Sequence, residues 1–469
     1  MKSKICLWVM LLCAGVFQYT SVLGQSTDST IRNISDLKYT NAWLSSGHVL
    51  GLHALPVAKI SVAEVYGAAT KGGFVDYFES NNRFLAGAKV ESYRKLNSRI
   101  AFQGKLGYET ERGKNMAGSS FIDPYKYPLD LVEYADSTAG DKKLERYNLT
   151  GGVTTKLGQR WKLGGKVDYE AANYSKFKDL RHTNRLLQLD VNVSLGYHVN
   201  DKLEVGLAYD YLRRIESVKF KTYGNTDRQY LSLISFGSFY GMLELHDDKG
   251  YTSSQETNPQ RDITNQFSGF INLQLSPNLQ WFNIIKVGKR TGYFGKKGTG
   301  SIVYTEHEGS NLEYHGSAVL KYTQSLHHFD LQLASSALDN MQNIYRMETV
   351  PGGSTSVVYY GQAKVLNQDV KRFSLHYTGH FGVNGFTPRW VVEAGANFNN
   401  RVQQVSIYPY FRKQEINSYS LGGSLGRNIM LGAGMFTVSA GAKYGSGGGF
   451  SNKDGLFATP SSNRIEGRK

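Results

Sequence analysis

Between Leu187 and Val199 every odd-numbered residue is apolar or aromatic, while Gln188, Asp190, Asn192, Ser194, Gly196 and His198 hold the even positions. Strand side chains alternate between two faces, so this stretch is apolar on one side and wet on the other. Asn200 and Asp201 supply hairpin chemistry at its end. Leu203, Val205, Leu207, Tyr209 and Tyr211 then resume the alternation against Glu204, Gly206, Ala208 and Asp210. The unit recurs from about residue 60 to about residue 446, with no helical blocks between. Such a series predicts an all-β fold, an antiparallel up-and-down transmembrane β-barrel.

Ahead of the hairpins, residues 1–24 read as an export leader. Lys2 and Lys4 form its charged start, Ile5 to Phe17 its apolar core, and Val22 and Gly24 stand at positions −3 and −1 of a cleavage site before Gln25. Cys6 and Cys13, the only cysteines, fall inside it. The mature chain then has no thiol, which excludes disulfides and thiolate metal sites. No later window is apolar enough for a transmembrane helix, because barrel strands expose apolar residues at alternate positions only. Proline is scarce, at 9 residues, as suits a sheet that needs its amide donors; the 31 tyrosines suit a membrane–water interface. The net charge is +15. In an exported barrel this favours an anionic lipopolysaccharide surface over nucleic acid as partner.

Tight corners fall near Leu96-Asn97, Gln159-Arg160, Asn200-Asp201, Pro277-Asn278, Leu326 to His328, Asn384-Gly385 and Asn428 to Gly434. Long connections fall at 113–144, 175–183, 217–262, 294–309, 341–369 and 401–414. Short turns at one end and long loops at the other match periplasmic turns and extracellular loops. The count reaches about fifteen crossings over residues 59–447, and such barrels usually have an even number. About 16 strands are therefore expected, or 14 if the 60–80 region is not a full crossing pair. Residues 448–469 read as an extracellular loop, with the closing strand missing. Residues 25–58 form a periplasmic N-terminal segment with two readings, a plug carrying Trp43, Leu50, Leu52 and Leu55 or a flexible leader to the first strand.

A lysine or arginine at the bilayer midplane costs roughly 2–4 kcal/mol, so the polar face of each strand must line the lumen. The lumen candidates are Lys105, Glu109, Lys166, Asp168, Asp190, His198, Glu204, Asp210, Lys321, Asp330, His376, His380, Glu393 and Lys443. Leu149, Val153, Leu187, Val191, Phe267, Ile271, Leu375, Trp390 and Val438 face lipid on the same register. A lumen of mixed sign could pair its charges and close, or line a wet passage for small polar solutes. The folding of loops 113–144 and 217–262 decides between them.

Candidate chemistry is thin. His246-Asp247-Asp248 sits in the longest loop, but neighbours on a strand point apart and a general base needs a partner within reach. His315-Gly316-Ser317 is followed by Ala318 and Val319, where outer-membrane phospholipases carry Asn-Gly. His376 and His380 share a face about 13 Å apart, too far for one metal. Gly295 to Thr299 lacks the spacing of a phosphate loop. No catalytic set, metal site or cofactor is expected. Two basic clusters, Lys176, Lys178, Arg181 and Arg185, then Lys286, Lys289, Arg290, Lys296 and Lys297, are placed to meet lipopolysaccharide phosphates or to stand in solvent.

The leader, the Tyr/Gly-rich hairpins and the segment Asn41-Ala42-Trp43-Leu44-Ser45-Ser46-Gly47-His48-Val49-Leu50-Gly51-Leu52 resemble outer-membrane barrels of uncharacterised function from Bacteroidota. The resemblance implies an outer-membrane location and an association with TonB-dependent uptake machinery. The same segment is similar to the opening Asn-Pro-Ala-Gly-Leu of long-chain fatty-acid transporters, but His48-Val49-Leu50 stands where Asn-Pro-Ala would be. The expected function is non-enzymatic: a passive channel, or a component of a nutrient-uptake complex beside a TonB-dependent transporter or surface lipoprotein. The alternatives are an adhesin that works through its long loops and a carrier of hydrophobic substrates.

Overall fold

The computed structural model describes residues 22–24 and 33–457, apart from Phe74, 134–137, 225–226, 248–249, 251–256, Thr299, 350–352, Ser354 and Ala433. Its wall is a meander of fifteen long antiparallel strands. The first eight are β2 (Lys59–Lys71), β3 (Asn82–Lys95), β4 (Ile100–Met116), β7 (Gly140–Leu157), β8 (Trp161–Lys176), β9 (Arg181–Asn200), β10 (Leu203–Lys221) and β13 (Asn258–Ser276). They continue through β14 (Leu279–Gly295), β15 (Val303–Lys321), β16 (Ser325–Thr349), β17 (Thr355–Phe381), β18 (Trp390–Ile407), β19 (Tyr410–Leu431) and β20 (Gly434–Leu456). Each pairs with its sequence neighbours in the wall, and a three-residue strand β1 (Val22–Gly24) pairs with β2. Among the described residues β20 pairs only with β19. By the turn assignment β2 and β20 both run outward, so the two edges are parallel to each other.

The register follows the alternation. Leu187, Leu195, Leu207, Phe267, Ile285, Leu312, Leu333, Leu375 and Val438 stand exposed on the outer face. Together they form an apolar belt that belongs in hydrocarbon. Tyr108 with Tyr147, and Trp161 with Tyr197, pack as cross-strand ring pairs on that same face. No helix among the described residues is long and apolar enough to cross a membrane. The crossing is made by strands.

Three expectations need correction. The turn expected at Leu326 to His328 lies at 322–324, and those residues begin β16. Two of the long loops are mostly strand: β16 and β17 stay paired out to Thr349 and Thr355, and β18 and β19 to Ile407 and Tyr410. The last strand likewise continues past 447 to Leu456. All three stretches run beyond the apolar belt, where both faces of a ribbon meet water and the alternation that marks a strand lapses.

Two smaller structures occupy the lumen. At the short-turn end lie helix α1 (Ile34–Lys38), helix α2 (Ala42–Ser45) and a 3-10 turn, Val49–Ala54. Asn33 and Asn41 cap the two helices by accepting amide hydrogens of their first turns. At the opposite end the loops after β4 and β10 fold together into a four-stranded sheet. It contains β5 (Gly118–Ser119), β6 (Asp130–Glu133), β11 (Tyr230–Ser235) and β12 (Gly241–His246), in the order β12-β11-β6-β5.

Candidate functional site

The N-terminal segment is held chiefly by apolar burial. Leu37, Trp43, Leu44, Val49, Leu50 and Leu52 share one buried cluster with inward Phe270, Phe282, Ile284 and Val319 of the wall. Trp43 stacks on Phe282 at 5.8 Å between ring centres. The wall is shaped for this contact. A Cβ on Gly164 would meet Leu50 and Val49 at 2.7 Å, and one on Gly196 would meet Leu50 at 2.9 Å. These glycines make the hollow that Leu50 fills.

Polar contacts fix the orientation of the segment. Lys38 pairs with Glu91 at 2.6 Å. Ser45 meets Ser317 at 2.8 Å and His328 Nε2 at 3.0 Å. Asp36 lies 3.5 Å from His380 Nε2. Burial pushes the Asp36 carboxyl up to about 7. It also lowers His48 to about 3, with Lys286 and Lys166 acting in the same direction.

The lid at the other end combines an apolar cluster, which includes Phe121, Leu131, Phe220, Phe236 and Val405, with buried charge. Lys142 and Lys176, whose side chains are fully buried, converge on Glu133 of β6. Lys142 also donates to the Ser119 carbonyl at 2.8 Å. Arg214 donates to the Tyr127 hydroxyl at 2.9 Å, and that hydroxyl donates to Glu216 at 2.7 Å. Asp130 accepts from Ser119 at 2.5 Å and Tyr77 at 2.7 Å, while burial pushes its carboxyl up to about 6.

The fourteen sequence candidates lie on the face that carries these two stoppers, in separate groups. Glu109 accepts from Tyr66 at 3.0 Å and pairs with Arg146 at 3.5 Å; Lys105 is exposed, opposite Glu91 in register. Lys166 pairs with Asp168 at 2.8 Å, and Asp168 sits opposite Asp190. Asp210 accepts from Asn192 at 2.7 Å and meets Lys286 at 3.4 Å. His198 and Lys162 both contact Glu204. Asp330 holds His315 at 2.5 Å and faces the exposed His376 in register. Glu393 accepts from Ser424 at 2.9 Å, and Lys443 is exposed on the last strand. Lys321 borders a cavity of about 290 Å³ with Asn41, Gln274 and Gln280 at the short-turn mouth.

The structure also divides the two basic clusters. Lys176, Lys286 and Arg290 face inward and meet Glu133, Asp210 and Asp262, whereas Lys178 and Lys289 are exposed. Strand parity separates them, since Lys286 and Arg290 share a face that Lys289 does not. Asp248 of the His-Asp-Asp triplet lies outside the described residues, and His246 Nε2 is 3.7 Å from Glu244. Among the described residues no three His, Cys, Asp or Glu side chains gather as metal ligands. Asp36, Lys38, Glu133, Lys142 and Glu216 were not singled out by sequence reasoning. The alternation could have found Lys142 and Glu216, which continue the inward parity of β7 and β10.

Several solved structures align over most of the chain. They include an alcaligin outer-membrane receptor from Bordetella pertussis, with 9% identity, a TM-score of 0.33, and 82% of this chain and 72% of that one covered. A siderophore receptor from Acinetobacter baumannii shows 8%, 0.36, 84% and 78%, and a ferric yersiniabactin uptake receptor from Yersinia pestis 8%, 0.36, 84% and 77%. Likeness at this level is too slight to carry a substrate across. No curated protein matches the sequence. Residues 49–460, from the 3-10 turn through the last wall strand, match the family of unknown function DUF6850, and the chain belongs to that family.

Proposed function

We propose that this chain is a gated outer-membrane barrel of nutrient uptake, closed at rest by its own N-terminal segment. The observation that carries this is the shared core of Trp43, Leu50, Phe270 and Phe282, which fills the lumen with side chains from both wall and segment. A permanently open channel would have no use for large aromatic residues on its water face. The folded lid supports the same reading from the other mouth, and it makes a partner or ligand the opening signal. A TonB-dependent transporter or a surface lipoprotein would be such a partner. Exposed Lys178 and Lys289 remain available to lipopolysaccharide phosphates.

A sixteenth strand belongs to this proposal. Beyond the three residues of β2 that pair with β1, the β2 and β20 edges cannot stay open in hydrocarbon, and one inward-running strand would be antiparallel to both. Planar-bilayer recording tests the gating. The intact protein should be silent, and removal of residues 33–57 should give conductance steps. Silence of both forms would sink the passage, and steps from the intact protein would sink the gate.

A further inference from the structure

Beneath the lid, inward side chains of four neighbouring strands form two rungs. In the first, Gln260 of β13, Phe294 of β14 and Thr305 of β15 are register partners. In the second, Asp262, Gly292, His307 and Asn340 follow one another from β13 to β16. The five polar members are almost wholly buried, none more than 4% exposed. Asp262 Oδ1 accepts from Arg290 Nε at 2.8 Å and from His307 Nε2 at 2.6 Å. Among the described residues, six atoms then have no protein partner: Asp262 Oδ2, His307 Nδ1, Asn340 Oδ1, Thr305 Oγ1, and both amide atoms of Gln260. Interiors pair nearly all such atoms, because leaving one unpaired is costly. A single orphan could be a packing accident. Six on two adjacent rungs make a set that calls for an occupant.

We infer that this set is a binding site for a neutral polyhydroxylated molecule, a sugar, uncovered when the lid lifts. The inference rests on the uptake reading and names the class of its cargo. Acceptors dominate the free atoms, since Asp262 Oδ2, Asn340 Oδ1 and Gln260 Oε1 can only accept, and His307 in its neutral form accepts at Nδ1 while donating from Nε2 to Asp262. They ask for a ligand rich in hydroxyl donors, with Gln260 able to give two hydrogens and Thr305 one in return. Arg290 balances the Asp262 charge, so the site favours neither a cation nor an anion. Phe294, between Gln260 and Thr305, offers an apolar ring to the C–H face of a sugar. The lid caps this same set. The Pro128 carbonyl takes Asn340 Nδ2 at 3.3 Å and the Lys126 carbonyl takes Arg290 at 2.5 Å, so lifting the lid frees two further donors.

Thermal melting and equilibrium binding of the full-length protein in detergent test the site. The probes are glucose, galactose, mannose and maltose, with glucuronate and spermidine as charged counterparts. Each is measured on the native protein and again on Tyr127→Phe, which loosens the lid by removing its hydrogen bond to Glu216. At least one neutral sugar should raise the melting temperature. Gln260→Leu and Thr305→Val should each weaken that binding about tenfold. In the absence of sugar they should melt no lower than the native protein, because they remove unpaired polar atoms. Variants that melt lower would mark the rungs as a water-filled structural network and overturn the site. Shifts from glucuronate or spermidine alone, or none from the neutral sugars with the lid loosened, would overturn the class. Binding needs no transport, so its failure leaves the conductance result standing, and a silent plug deletion leaves the binding result standing.

Discussion

At the short-turn mouth Trp43, Leu50 and Leu52 meet Phe270 and Phe282; at the long-loop mouth Lys142 and Lys176 meet Glu133. The first contact is mainly non-directional burial, which loses strength in proportion to the area removed. The second depends on one carboxylate serving two buried ammonium groups, and it fails abruptly when that partner is lost. A stopper built on apolar area suits a resident seal. One built on buried charge and directed hydrogen bonds suits an element that a ligand or partner can lift, because competing contacts replace it bond for bond. The lid is accordingly the end that lies over the unpaired rungs of Gln260 and Asp262.

The largest expected effect is on the seal. Trp43→Ala removes the stacking on Phe282 and a cation contact from Lys162 at 4.9 Å, and should weaken docking by about 4 kcal/mol. Cys6 and Cys13 are the only cysteines of the sequence, so Ser45→Cys in a chain with both replaced by serine gives a clean maleimide probe. Labelling should rise roughly a thousandfold, and an unchanged rate would show that burial does not hold the segment. Next comes Glu133→Gln, which strands two buried lysines and should cost the lid about 3 kcal/mol. Ser232→Cys on β11 reads it, with labelling roughly a hundredfold faster while Ser45→Cys stays protected. Loss of protection at both positions would merge the two stoppers into one cooperative unit and undo the comparison.

The wall was legible because lipid punishes a misplaced charge. Leu187 and Asp190 differ in parity, so one assignment fixed every later strand that kept the alternation. The seal was half legible. Trp43 and Leu50 announced a buried face, but Gly164 and Gly196 gave no sign that they formed its socket until their registers were known. The lid was hidden by length. Strands of two to six residues, such as β5 and β6, are too short to show a period, and β6 finds its partner β11 about a hundred residues further along the chain. Gln260 was obscured for another reason, lying inside a stretch read as loop that is in fact the loop-end start of the long strand β13.

The smallest effect separates the stoppers by pH. Asp36 is buried in the seal with its carboxyl raised to about 7, against an ordinary value of 3.8. A raised carboxyl is most compatible with the docked state when protonated, so this group favours docking most below its unfolded value. The advantage is lost as pH rises toward 7, beyond which the penalty levels off. Between pH 6 and pH 8 the docking equilibrium constant should fall about tenfold, on the order of 1.4 kcal/mol. The thiol probe ionises over the same range, so the quantity to follow is the Ser45→Cys labelling rate divided by that of the chain also carrying Asp36→Asn. The ratio should climb from pH 6 to pH 8, while Ser232→Cys in the lid shows no dependence on Asp36→Asn. A flat ratio would mean that Asp36 stays ionised beside His380 as a buried ion pair, and the seal would then depend on charge as the lid does.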